Sequence, residues 1–200
     1  MGHSWKMLLM RVFIIVLVLI FSLQSSTKAD DISDFQIEGM SIGDSALDFF
    51  SKEEIKKNSK NYYKNKKYTP VEIVNTSNFE SYWGVDFAFL SQDSEYKFTM
   101  LKGIIDYRNK SMKECKKELK EIYSELSLLF KNWKKQNIST ESHSADPTGK
   151  SKYTSSSFWS DEGVIAVACT DYSEESGWMD HLSVAIKTKK FNNFLGIAYD

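Results

Sequence analysis

Three polar residues of the sequence have types suited to acyl-transfer chemistry. Ser45 follows Gly43 and Asp44 in a turn, and a short apolar stretch begins directly after it. A serine on a turn that opens a helix can act as a nucleophile when a histidine takes its proton and an aspartate orients that histidine. The chain offers His181 for the first role and Asp180, its neighbour in sequence, for the second. These residues define one hypothesis, a serine-dependent hydrolase.

The block Gly43-Asp44-Ser45, followed by Ala46-Leu47, resembles the opening motif of the GDSL-type secreted ester hydrolases. The resemblance implies that Ser45 is the nucleophile. The family's Gly-x-Asn-Asp block does not occur in the sequence, and Trp178 stands three positions before His181, where the family has aspartate. Helix capping explains the same residues, because aspartate and serine are both favoured at the N-cap. Ester hydrolysis is therefore the alternative interpretation, and the main one assigns no catalytic residue.

The first 29 residues have the pattern of a secretory signal peptide. Lys6 and Arg11 precede or open an unbroken apolar run from Val12 to Phe21, and a short polar segment ends at Ala29. We expect cleavage after Ala29 and a single globular domain over residues 30–200, in the periplasm or outside the cell. The alternative is an uncleaved membrane anchor, for which the apolar run is short, since a spanning helix needs about 20 apolar residues.

The charge balance of the expected mature chain argues against one class of partner. The leader contains three basic residues and no acidic one, which leaves 23 basic against 27 acidic residues and a net charge of −4 over 171 residues. A general nucleic-acid binder needs a basic surplus, so we expect no nucleic acid as a partner. No second apolar run reaches membrane-spanning length, and we expect no membrane contact after cleavage.

Cys115 and Cys169 are the only cysteines. In an exported protein an even pair of cysteines indicates a disulfide, and the alternative is a reactive thiol. A metal site with two cysteines would need histidines at regular spacing, and only His143 and His181 remain after cleavage. The acidic pairs Asp161-Glu162 and Glu174-Glu175 lack the ligand spacing of a calcium loop. We therefore expect no metal and no cofactor.

Apolar residues at alternate positions predict the strands that must carry these residues. We expect a short first strand at 35–37 and five longer ones at 71–74, 83–89, 98–107, 163–170 and 181–187. Cys169 shares the inward face of its strand with Ile165 and Val167. The Ser/Thr-rich stretch from Asn137 to Ser157 is predicted as a long exposed loop.

Helical signals occur in two places. Asp44 or Ser45 offers an N-cap for a short N-terminal helix, and the capping-box pattern that begins at Ser51 opens a second helical turn. A capping box at Ser111 opens a long helix from Met112 to about Lys135, whose apolar stripe includes Cys115. The segment 191–199 fits a helix or a strand. The predicted fold class is α+β: an antiparallel sheet of about five strands with one long amphipathic helix packed across a face, plus the short N-terminal helix.

The leader, the block from Phe35 to Ser45, the helix with Cys115 and the late strand with Cys169 together resemble exported proteins of marine Pelagibacter-type alphaproteobacteria that have no assigned activity. The same opening, a strand and then Gly39-Met40-Ser41 before a short helix, is similar to small periplasmic domains such as the BamE outer-membrane assembly lipoprotein and the β-lactamase-inhibitor-protein fold. Those domains bind other proteins. The resemblance implies a non-catalytic binding or envelope accessory module with an envelope protein as its partner.

Overall fold

The computed structural model describes residues 31–74 and 79–198, and the predicted leader at residues 1–29 lies outside them. Within the described residues the fold is α+β, with a two-stranded hairpin, a seven-stranded antiparallel sheet and three α-helices. In chain order the elements are β1 (Gln36–Ile37), β2 (Met40–Ser41), α1 (Lys52–Asn58), β3 (Tyr68–Val74), β4 (Gly84–Leu90), β5 (Met100–Asp106), α2 (Met112–Leu129), β6 (Lys134–Ser142), β7 (Lys152–Trp159), β8 (Gly163–Asp171), β9 (His181–Thr188) and α3 (Lys189–Leu195).

The large sheet has the strand order β3-β4-β5-β9-β8-β7-β6, and all neighbouring strands are antiparallel. The chain leaves the sheet after β5 to form α2, adds β6, β7 and β8 as a meander, and then places β9 against β5. One sheet therefore joins two consecutive sets of strands, and β5 and β9 lie at its centre.

The two faces of this sheet differ in composition. Residues that pair directly across antiparallel strands point to the same face. One row of paired residues across six strands is apolar, and it defines the covered face: Val71, Phe87, Leu101, Ile186, Ile165 and Phe158. The adjacent row defines the open face: Glu72, Asp86, Lys102, Ala185, Ala166 and Ser157. The core lies on the apolar side.

Helix α2 and the N-terminal segment bury the covered face. Leu119 and Leu126 of α2 are buried in the core clusters of this face. Beside them, the ring of Phe50 stacks on that of Phe87 with centroids 5.4 Å apart. Helix α3 covers only one end of the open face, where Phe191 and Phe194 pack on residues at one end of β3, β4 and β5. Helix α3 therefore leaves the middle of the open face uncovered.

The predicted disulfide between Cys115 and Cys169 is confirmed. It joins α2 to β8 with a Cα–Cα distance of 6.0 Å. Both residues are buried in a cluster with Leu119 and Val167. The bond therefore clamps the helix onto the sheet from within the core.

The expectation of about five strands is wrong, because the sheet has seven. The five longer strands predicted are present, and the two additional ones, β6 and β7, occupy the stretch expected to be a loop. Their hydroxyl groups find partners across the strands: the Thr140 and Thr154 hydroxyls lie 2.9 Å apart, and Ser156 donates to the Gln136 carbonyl at 2.6 Å. Because these groups are paired, a Ser/Thr-rich segment can lie within a sheet without an apolar pattern.

The expected helix from Met112 to about Lys135 is also too long. Helix α2 ends at Leu129, and a tight turn carries the chain into β6. Phe130 and Trp133 lie on this turn, with ring centroids 4.7 Å apart and both rings buried. In the sequence their spacing continues the apolar stripe of the helix, although they lie on the turn that follows it. The helix itself is less amphipathic than expected, since Leu128 and Leu129 are exposed.

The predictions for the short helices before β3 and after β9 agree more closely with the structure. Ser45 caps a single 3-10 turn, Ala46–Asp48, and Ser51 caps α1 through the backbone N–H of Glu54 at 3.2 Å. The segment after β9, which the sequence leaves between helix and strand, begins as helix α3. None of the described helices is both long and apolar enough to cross a membrane.

Candidate functional site

A groove of about 760 Å³ crosses the open face above β3, β4 and β5. Its floor carries Glu72, Asp86 and Lys102, one from the middle of each of these strands. Tyr62 and Tyr63 line one side. The loops that follow β6 and β8 line the other. The volume lies within the range of small-molecule binding sites in proteins.

The floor, here called the ionic floor, consists of Glu72, Asp86 and Lys102. The Lys102 ammonium contacts the Asp86 carboxylate at 3.0 Å, and the Lys60 ammonium lies 3.6 Å from the Glu72 carboxylate. The Tyr62 hydroxyl also donates to Glu72 at 2.6 Å. Burial raises the pKa of Asp86, and Lys102 opposes that rise. Each carboxylate of the floor is thus paired with a lysine, Asp86 with Lys102 of the floor and Glu72 with Lys60 beside it.

The opposite side of the groove, here called the aromatic wall, consists of His143, Tyr172 and Trp178. The ring centroids of His143 and Tyr172 are 5.0 Å apart, and those of Tyr172 and Trp178 are 5.1 Å apart in an edge-to-face arrangement. Such tilted contacts are favoured between rings and fix their orientation. The indole of Trp178 nevertheless remains 52% exposed at the rim.

Hydrogen bonds hold the two loops of the aromatic wall together. The Asp146 carboxylate accepts from the backbone N–H and the hydroxyl of Ser151 at 2.9 and 2.6 Å, and it also accepts from Thr148. The Ser151 hydroxyl in turn accepts from the backbone N–H of Ser173 in the other loop at 2.9 Å. The hydrogen bonds from Ser151 and then Thr148 lower the pKa of Asp146. These hydrogen bonds fix the two loops of the aromatic wall relative to each other.

Ser45 lies away from this groove. Its hydroxyl donates to the Glu95 carbonyl at 2.6 Å and accepts from the backbone N–H of Leu47 at 3.2 Å. The residue pairs with Lys97, just before β5 begins, and the segment around it packs on the covered face. These contacts are those of an N-cap.

His181 lies on the open face at the opposite end of β5, paired with Asp106. The six steps of strand from Met100 to Asp106 span about 20 Å, and the sheet itself separates the two faces. The structure therefore does not bring Ser45 and His181 together.

Asp180 does not orient the His181 ring. Its carboxylate accepts from the backbone N–H of Tyr172 at 2.7 Å, while the His181 Nδ1 lies 2.9 Å from the Met179 carbonyl. Burial and, to a smaller degree, the charge of Lys102 lower the pKa of His181 to about 4. The imidazole is therefore neutral at pH 7, and its ring centroid lies 5.9 Å from that of Tyr172.

Acidic side chains outside the groove serve structural contacts. Glu162 accepts from the backbone N–H of Ile32 at 3.1 Å, and Asp161 pairs with Lys189 at 2.8 Å. Over residues 31–74 and 79–198 no three histidine, cysteine, aspartate or glutamate side chains come together as a metal site requires.

The residues of the groove were not identified from the sequence, although one signal pointed to its floor. Glu72, Asp86 and Lys102 each stand between inward-facing residues of a strand, which places three charges on the second face of adjacent strands. The aromatic wall had no such signal. His143 and Trp178 lie 35 positions apart on two loops, and only the pairing of β7 with β8 brings those loops together.

Comparison of the chain with models of protein families, with curated proteins and with solved structures finds no match in any of the three.

Proposed function

We propose that the chain is an exported, non-catalytic binding module that holds its ligand in the groove on the open face. The observation that carries the proposal is the aromatic wall, held by hydrogen bonds between its two loops, which faces the ionic floor across a groove of about 760 Å³. A site that is ordered before binding loses less entropy when the ligand arrives. An envelope component is the partner class proposed for it.

The positions of the polar residues support binding over catalysis. Ser45 serves as a cap, and Asp180 holds a backbone N–H. The carboxylates of the ionic floor are each paired with a lysine. These arrangements suit recognition, because a paired carboxylate presents a fixed hydrogen-bond acceptor.

A fragment screen by NMR tests the groove as the binding site without assuming a ligand class. We expect hits from a chemically mixed library to shift the indole resonance of Trp178 and the backbone resonances of Asp86 and Lys102. Trp159 is the matched control, since it is 40% exposed and does not line the groove. Hits that move Trp159 or the covered face, and leave Trp178 unchanged, would contradict the proposal.

Export is tested separately by mass. A chain expressed with its own leader in a Gram-negative host should be recovered from the periplasm as residues 30–200, with Cys115 and Cys169 oxidised. A full-length product retained in the cytoplasm would reject export, and a full-length product in the inner membrane would favour the anchor.

A further inference from the structure

We infer that the groove binds a neutral saccharide. The inference rests on the proposed function, since it names the ligand class of the same groove. Three features of the site support it: an indole held at the rim by neighbouring rings, a floor whose charges are matched once Lys60 is counted, and two central floor strands whose backbone groups are used within the sheet.

Trp178 provides a flat apolar surface at the rim. Its backbone N–H donates to the Ser176 hydroxyl at 3.1 Å, and Gly177 before it has a positive φ of 66° that turns the chain. Tyr172 and His143 support the ring from the side. One face of a pyranose ring consists of C–H groups, and such a face packs on an aromatic ring. A rigid aromatic ring also loses little conformational entropy on binding.

The ionic floor favours a ligand without net charge. The ionic floor contains two carboxylates and one ammonium group, and Lys60, which lies 3.6 Å from Glu72, supplies the second positive charge, so the floor together with Lys60 has no net charge. An ionic ligand would have to break one of these pairs to gain a partner of its own, which leaves a charge unpaired in a partly buried place. A hydroxyl group donates to a carboxylate and accepts from an ammonium at once. Adjacent sugar hydroxyls can therefore bind the Asp86–Lys102 pair without separating it.

The strands of the floor argue against an extended peptide as the occupant. Peptides bind sheets by adding a strand at an edge, where backbone groups lack partners. Strands β4 and β5 each have a neighbour on both sides, so their backbone groups are used within the sheet. Strand β3 is at the edge of the sheet, but Ser59 bridges to Val71 there and the Lys60 N–H donates to the Pro70 carbonyl at 2.8 Å. A peptide lying over β4 and β5 would therefore find side chains only. Its backbone amides would be desolvated with too few partners.

The test is a titration of the oxidised mature protein with a panel of neutral oligosaccharides (β-1,4-glucan, chitin, mannan and galactan fragments), with charged glycans and a random peptide library beside it. We expect at least one neutral oligosaccharide to bind and to shift the Trp178 indole resonance. Trp178→Ala should weaken that binding at least tenfold, as is usual when a tryptophan that carries much of the contact is removed. Trp159→Ala should leave the affinity within twofold.

The controls separate the ligand class from the site. Unfolding midpoints measured for both tryptophan variants establish that each is folded before its affinity is compared. Binding of peptides or charged glycans at the groove, with no neutral glycan bound, would overturn the saccharide inference and leave the groove as a binding site. An unchanged affinity of Trp178→Ala for a neutral glycan would overturn the inference as well. If neither the panel nor the fragment screen perturbs the groove, both proposals fail.

Discussion

The covered face and the open face belong to the same strands, yet they are filled by different means. Phe87 on the covered face is fully buried and contacts Phe50, whereas its sequence neighbour Asp86 on the open face forms an ion pair with Lys102. Apolar burial contributes most of the free energy of folding, while an ion pair at a partly exposed place contributes little. One face therefore stabilises the fold, and the other is available for recognition.

Removal of the disulfide should give the largest change in the free energy of unfolding. The bond lies in the core of the covered face, so its loss tests the contribution of that face. Replacing Cys115 and Cys169 together by alanine releases a loop closed over a separation of 54 residues. The chain-entropy relation predicts a loss of about 4 kcal/mol in the free energy of unfolding. Urea unfolding measures it.

Reductant provides the matched control for that prediction. Wild-type protein in dithiothreitol should lose the same stability as the double variant, and the double variant should lose nothing further. A difference below about 1 kcal/mol between oxidised and reduced wild type would show that the clamp between α2 and β8 contributes little, contrary to the range usual for disulfides.

Two leucines of α2 give the next largest effect and test whether the helix is one-sided. Leu119 is fully buried, and Leu128 is 68% exposed. Leu119→Ala should cost about 3 kcal/mol, because it removes buried methyl groups and leaves a cavity. Leu128→Ala should change the free energy of unfolding by less than about 0.5 kcal/mol. Equal losses in the two variants would mean that α2 packs differently from the described arrangement.

The pKa values of Asp146 and Asp86, two carboxylates on the open side, should be shifted in opposite directions. Hydrogen bonds from Ser151 and Thr148 lower the pKa of Asp146, so its stabilising contribution is complete above the unfolded pKa of about 3.9 and is lost as the pH falls through the folded value. Burial raises the pKa of Asp86, so the folded state gains stability relative to the unfolded state as Asp86 takes up its proton. Titration of the carboxyl ¹³C resonances should place Asp146 below and Asp86 above that value.

The variant Asp146→Asn tests what the lowered pKa means for the groove. The amide cannot accept all the hydrogen bonds from Ser151 and Thr148, so the two loops of the aromatic wall should separate more often. Hydrogen exchange should become faster at residues 172–178 and stay unchanged in α2. Unchanged exchange in the loop would show that Asp146 does not hold the wall.

The sequence was more informative about the covered face than about the open one. Alternation of apolar residues located the five longer strands, and the capping box at Ser111 located the start of α2, because both signals are local. The end of α2 was missed because Phe130 and Trp133 keep a helical spacing through a turn. Strands β6 and β7 were missed because their serines and threonines are satisfied by partners on other strands.

The candidate site could not be predicted from the sequence, for a related reason. The aromatic wall depends on the contact between two loops, and the ionic floor depends on the register of three strands, so neither is a local pattern. Ser45 and His181, which the sequence suggested as partners, lie at opposite ends of β5 because the register of β9 places His181 opposite Asp106.

A small expected effect on stability at Trp178 separates the two faces most directly. Trp178→Ala removes the largest side chain of the aromatic wall, but the indole is half exposed and contributes only edge contacts with Tyr172 and His143. We expect Trp178→Ala to lower the free energy of unfolding in urea by less than about 1 kcal/mol. Phe87→Ala on the covered face should lower it by several kcal/mol. Large exposed aromatic residues that contribute little to folding are typical of binding surfaces. A loss comparable to that of Phe87→Ala would instead make the wall part of the core, and the distinction between the faces would no longer hold.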